Sequence, residues 1–189
     1  MPLIQTVTVG ARTIDLHTFS GEVVEEKKWA TTQVSGGGGG YNVGSGQNNP
    51  VTITSTTTTH DQFFVRDDSG QEMACEMTDA GVALRKGHRV TVLWGIIKGN
   101  ERGPYIAVYN HTTGNLTLIQ SAVARLAVPP APFYIVIGYV ISVFASCFYG
   151  IGIIALIAML VYRSNQKKRL LATFRPAVDA AVTQIRSPN

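Results

Sequence analysis

Residues 62–77 read Gln62-Phe63-Phe64-Val65-Arg66-Asp67-Asp68-Ser69-Gly70-Gln71-Glu72-Met73-Ala74-Cys75-Glu76-Met77, and their pattern decides the fold class. Met73, Cys75 and Met77 fall on one face of an extended chain, with Glu72 and Glu76 on the other. Side chains of a strand alternate between faces, so a period of two predicts a half-buried strand. Asp67-Asp68-Ser69-Gly70 is turn chemistry, because Asp and Ser bond nearby backbone and Gly accepts positive φ. A turn between two such runs predicts an antiparallel pair. The alternation recurs at Val90, Val92 and Trp94, at Tyr105, Ala107 and Tyr109, and at Leu116 and Leu118. It places Trp94 in the core. Arg85-Lys86-Gly87, residues 99–104 and Thr112-Thr113-Gly114-Asn115 punctuate these runs. No long helical pattern separates the strands, which argues for an antiparallel barrel or sandwich over βαβ units.

Further upstream, Gly21-Glu22-Val23-Val24 opens a strand, and a long excursion separates it from Gln62. Residues 84–95 and 104–109 supply the later strands. This order resembles the OB-fold, a five-stranded Greek-key barrel, over roughly residues 20–110. Small SH3-like barrels share the pattern. The resemblance implies a closed small barrel within residues 1–120, and it raises single-stranded nucleic acid as a ligand. Trp29, Phe63, Phe64, Trp94 and Tyr105 would then stack bases, with Arg66, Arg85, Lys86 and Arg89 supplying charge. Residues 1–132 carry 10 Lys/Arg against 11 Asp/Glu, a balance that argues against a nucleic-acid partner.

The excursion itself is of low complexity. Ser35, Gly36–Gly40 and residues 44–50 form a glycine-rich loop, and Thr54–Thr59 is polar on both faces. Such a ribbon cannot be core, so a long β-hairpin arm tipped by loop 35–50 is expected. Its exposed edges are templates for pairing with another copy, through Thr54, Thr56 and Thr58. The glycine run is not a phosphate loop, since no Lys-Ser/Thr follows it and no helix opens there.

A second stretch decides the rest of the architecture. From Phe133 to Tyr162 there are 30 residues without Asp, Glu, Lys, Arg or His, against the ~20 needed to cross a bilayer core. A transmembrane segment is therefore expected over 133–162. One straight helix of that length would measure ~45 Å, and two full crossings would be too short. A single tilted span and a re-entrant hairpin about Gly150-Ile151-Gly152 both fit, and length favours the span. Gly138, Gly150 and Gly152 offer close helix packing between copies. Arg163, Lys167, Lys168 and Arg169 follow at once, and positive charge beside a span marks its cytoplasmic side. Pro129, Pro130 and Pro132 predict a stiff, extended linker over 121–132. The basic tail, 163–189, carries Leu171, Phe174, Val178, Val182 and Ile185 at helical spacing, an amphipathic helix interrupted near Pro176.

Cys75 and Cys147 lie in different parts of the chain and predict buried thiols, not a disulfide. His17, His60, His88 and His111 show no ligand spacing, so no metal or other cofactor is expected. Residues 1–6 lack a basic region followed by an apolar core, so no cleavable signal peptide is expected. The reading is a membrane-anchored scaffold or assembly subunit, not an enzyme, of the bacterial inner membrane. Its partners would be membrane lipid, copies of itself and other assembly proteins. A membrane-tethered OB-type binding module is the alternative. A channel component is weaker, because the apolar run holds no ionisable residue to line a polar path.

Overall fold

Alternating apolar residues and turn dipeptides yield a mainly β, antiparallel protein with helices at its C-terminal end. The computed structural model describes residues 2–37, 39–42, 47–49, 51–130, 133–149 and 151–187. The strands are β1 (Leu3–Val9), β2 (Arg12–Gly37), β3 (Gly40–Asn42), β4 (Gln47–Asn49), β5 (Thr52–Arg66), β6 (Glu72–Thr78), β7 (Arg89–Ile97), β8 (Tyr105–Asn110) and β9 (Asn115–Leu118). The helices are α1 (Gln120–Ala127), α2 (Phe133–Tyr149) and α3 (Ile151–Arg186). Seven strands hydrogen-bond in the order β6-β5-β2-β7-β8-β9, with β1 also on β2, while β3 and β4 form a small ladder of their own.

The sheet is open, which corrects the expected OB- or SH3-like barrel. A barrel buries one sheet face against itself; here α1 and α3 pack on strand residues of their own unit. Val9, Ile14, Leu16, Leu93 and Ile106 from the strands share one core with Val123 and Leu126 of α1. Phe174, Val178, Val182 and Ile185 of α3 complete it. All of this lies in one of two compact units, Met1–Phe19 with Thr91–Asn189. Gly95 belongs to this core because any side chain there would meet Leu126 Cδ1 at 2.8 Å and Ile106 Cδ1 at 3.1 Å. In β7 the alternation holds for Val92 and Trp94, but Leu93 between them is equally buried under the helices. Trp94 lies in the core as expected, stacked on His17 at 5.7 Å and edge-on to Tyr105 at 6.5 Å.

The other unit is Ser20–Val90. Phe63 pairs with Cys75 and Val65 with Met73, and Met73, Cys75 and Met77 are buried while Glu72 and Glu76 are exposed. The expected register of residues 72–77 is the observed one. β2 does not begin near Gly21 but runs through it, from Arg12 to Gly37. A Cβ on Gly21 would overlap the Arg66 carbonyl oxygen, so glycine here permits close strand approach, and does not end a strand.

Three further expectations are corrected. Residues 120–127 are helical, not extended, because Ala122, Val123, Leu126 and Ala127 make a stripe that buries on the sheet. Arg12 Nη1 donates to the Leu126 carbonyl at 3.3 Å, satisfying an acceptor at the end of α1 that has no helical partner. α3 passes through Pro176 without a break. A proline inside a helix costs about 3 kcal/mol, and Phe174 and Val178, both buried on the flanking turns, hold the helix in place. The apolar run 133–162 is not described as one straight helix but as parts of two, α2 ending at Tyr149 and α3 beginning at Ile151. Among the described residues, no helix is long and apolar enough to cross a membrane.

Candidate functional site

The apolar run folds as two helices packed on each other. A Cβ on Gly138 of α2 would lie 2.6 Å from Met159 Cε of α3, so glycine lets the two limbs approach closely. Residues 138 and 159 are 21 positions apart, too far to touch along one straight helix, so their contact defines a hairpin. Its outer surface is apolar and unburied: Phe133 is 78% exposed, Ile141 61% and Ile154 71%. Surfaces of this kind mark contact with another molecule or with lipid. α2 measures 17 residues, about 25 Å at the helical rise.

Polar chemistry begins abruptly where α3 leaves the hairpin. Arg163, Lys167, Lys168 and Arg169 occupy two turns of α3, and no ion pair among the described residues involves them. Gln166 Nε2 donates to Tyr162 Oη at 2.6 Å. A groove of about 410 Å³ runs along this face, lined by Tyr162, Asn165, Gln166, Arg169 and Leu170. A smaller one beside it shares Tyr162, Gln166 and Leu170 and adds Arg163, Lys167 and the Pro129–Pro130 pair.

The arm is the second candidate. β2 and β5 pair from Trp29↔His60 out to Gly37↔Thr52, while β6 accompanies β5 only as far as His60. Asp79 ends β6 there: its Oδ1 accepts from Thr59 N–H and its own N–H donates to the Thr59 carbonyl, both at 2.8 Å. Beyond that point the ribbon has two strands. Thr54, Thr56 and Thr58 share one face with their partners Ser35, Gln33 and Thr31. On the opposite face Thr32 and Thr57 hydroxyls bond at 3.1 Å. Val34 and Ile53, exposed at 64% and 69%, also sit on that face.

The two candidate surfaces thus hold Thr54, Thr56, Thr58, Gly138 and the four basic residues. Gly138 meets Met159 of its own chain. Gly150 lies outside the described residues, and Gly152 is in the first turn of α3. Several of the aromatic residues that a stacking platform would need are already engaged. Phe63 and Trp94 are buried, and Trp29 stacks on His60 at 5.1 Å. Arg66 pairs with Glu72 and Arg89 with Asp68. Among the described residues no group of three or more His, Cys, Asp or Glu is placed to hold a metal.

Sequence reasoning missed the base of the arm. Asp61 is buried on the core face beside Met77 and pairs with Lys28 at 2.9 Å, while its Oδ2 has no hydrogen-bond partner among the described residues. The signal was a charged residue at a position where the period of two demands an apolar one.

No protein-family model matches the chain, and comparison with curated proteins and with solved structures gives no match.

Proposed function

We propose that the chain is a membrane-associated, non-enzymatic scaffold that dips its apolar hairpin into the bilayer from one side and self-associates through its β-arm. The observation that carries the reading is the hairpin's exposed apolar surface, bounded at its base by four cations that have no acidic partner among the described residues. At about 25 Å, α2 is shorter than the ~30 Å hydrocarbon core, so the hairpin enters without crossing. Both ends then lie on one side, that of the basic residues, which is the cytoplasmic side of a bacterial inner membrane under the positive-inside rule. Self-association is supported by the unpaired edges of a two-stranded ribbon, which alone is marginal in water, and by exposed Val34 and Ile53 at its far end.

Two measurements test this. Single cysteines at Ser35→Cys and Ser187→Cys, in a chain with Cys75 and Cys147 replaced by alanine, are labelled in intact cells and in opened membranes. Both are expected to react only after opening, and the protein is expected to stay with membranes through carbonate washing. Labelling of the two on opposite sides, or release of the intact chain, would defeat the anchor. Deleting residues 30–59 and bridging with a short turn is expected to lower the detergent-solubilised mass. An unchanged mass would make the arm a passive loop.

A further inference from the structure

We infer that the base of the hairpin is a binding site for the headgroup of an anionic phospholipid, held by Arg163, Lys167 and Arg169 around the Gln166–Tyr162 pair. The inference deepens the membrane reading and rests on it for the apolar limb. On a helix, residues three and four apart share a face, which sets Arg163 and Lys167 on one flank of Gln166 and Leu170, with Arg169 on the other. The two grooves on this face hold three of the four cations; Lys168 lines neither. None of the three has an ion pair among the described residues, so their charge is available to an anion. Tyr162 Oη accepts from Gln166, which leaves the phenolic proton to donate to a phosphate oxygen. Asn165 adds an amide on the same groove.

What selects a lipid over a soluble phosphate is the continuation of the site. The second groove passes from Arg163 and Lys167 onto Pro129, Pro130 and Ile135, and Ile135 belongs to α2 of the apolar hairpin. A ligand that meets both parts is negatively charged at one end and apolar at the other. Interfacial tyrosine and basic side chains at the foot of a membrane-inserted helix have this placement.

The test uses the full chain and vesicle flotation, with phosphatidylcholine vesicles against vesicles that also contain phosphatidylglycerol. Each basic residue near an anionic surface is worth about fivefold in partition, so a preference of more than tenfold for the anionic vesicles is expected. The Arg163→Gln, Lys167→Gln, Arg169→Gln triple variant is expected to lose that preference while still floating with phosphatidylcholine. Lys168→Gln is expected to keep it. Tyr162→Phe, which changes no charge, is expected to weaken it. Equal binding to both vesicles by the unaltered chain, or an equal loss from Lys168→Gln and Arg169→Gln, would overturn the site and leave the membrane reading standing. Failure to float with either would overturn the membrane reading itself. Abolition of the preference by millimolar glycerol phosphate would assign the site to a soluble phosphate instead. Unchanged thermal unfolding of each variant separates these outcomes from misfolding.

Discussion

Two stretches of α3 carry large apolar side chains that end in opposite environments. Ile153, Ile154, Ile157, Leu160 and Val161 are each more than half exposed, whereas Phe174, Val178, Val182 and Ile185 are each at most 9% exposed. The difference lies in the pattern of the residues around them. Residues 151–161 are apolar on every side, so packing one side on α2 still leaves the others bare. Residues 170–186 interleave Arg175, Asp179, Thr183 and Arg186 with the apolar stripe, so one face can dock and the rest stay hydrated. A helix that is hydrophobic all round belongs in an apolar surrounding, and an amphipathic one belongs on a core. One continuous helix thus joins an apolar part left exposed to a part docked on the sheet.

The largest expected effect breaks or confirms this contrast directly. Phe174 is fully buried among Val9, Ile14 and Leu93, and Phe174→Ala should destabilise the fold by about 3–5 kcal/mol. Ile154→Ala on the same helix should change stability by less than about 0.5 kcal/mol in detergent. Denaturant unfolding of the two variants measures both. Equal losses would mean that the hairpin limb is buried after all, and the comparison would collapse.

How much of this was legible from the sequence follows the same division. The register of Met73, Cys75 and Met77 could be read because a period of two leaves only one face for the core; Trp94 is buried as well, but in a strand whose Thr91 and Leu93 are buried too, so alternation was not its whole pattern. The stripe from Leu171 to Ile185 announced a docking face, yet nothing in it names the docking partner. That partner is the sheet formed by residues more than 60 positions away, so the barrel was expected to close on itself. The linker was misread because three prolines outweighed Ala122, Val123, Leu126 and Ala127, whose spacing is helical. Gly21 suggested a strand start, since absence of a side chain looks the same whether it ends a strand or admits a neighbouring carbonyl. The basic belt was legible in full, being contiguous in sequence, but the two grooves that set Arg169 on one side and Arg163 and Lys167 on the other of Tyr162 and Gln166 required the helix and the Pro129–Pro130 segment together.

A smaller effect sharpens the contrast within the hairpin. Gly138→Leu forces a branched side chain against Met159, and overpacking of this kind costs about 1–3 kcal/mol. Met159→Ala in the same chain should recover much of the loss, because it removes the atoms that collide. A double-mutant cycle on thermal unfolding in detergent reads the coupling. Additive losses would show that the limbs do not touch at this point, and the hairpin would then be two independent helices.

The smallest effect supplies the baseline against which both helix halves are compared, since it belongs to a solvent-exposed turn in the other unit. Asp67 Oδ1 accepts from the Ser69 hydroxyl at 2.6 Å and from the backbone N–H groups of Ser69 and Gln71 at 2.9 and 2.8 Å. The Ser69 hydroxyl, and after it those backbone donors, hold the carboxyl below its usual range. A carboxylate whose pKa is depressed by folding stabilises the native state above its unfolded value, near 3.9, and that contribution is lost as pH falls through the lowered value. Asp67→Asn keeps an acceptor for the turn but removes the charge. The variant should therefore melt slightly below the parent at neutral pH. The gap should close once acid protonates the parent carboxyl. Paired melting curves from neutral pH down to about 2, beyond the ordinary carboxylate range, measure this. A gap that persists unchanged in acid would mean that the turn depends on the shape of the side chain and not on its ionisation.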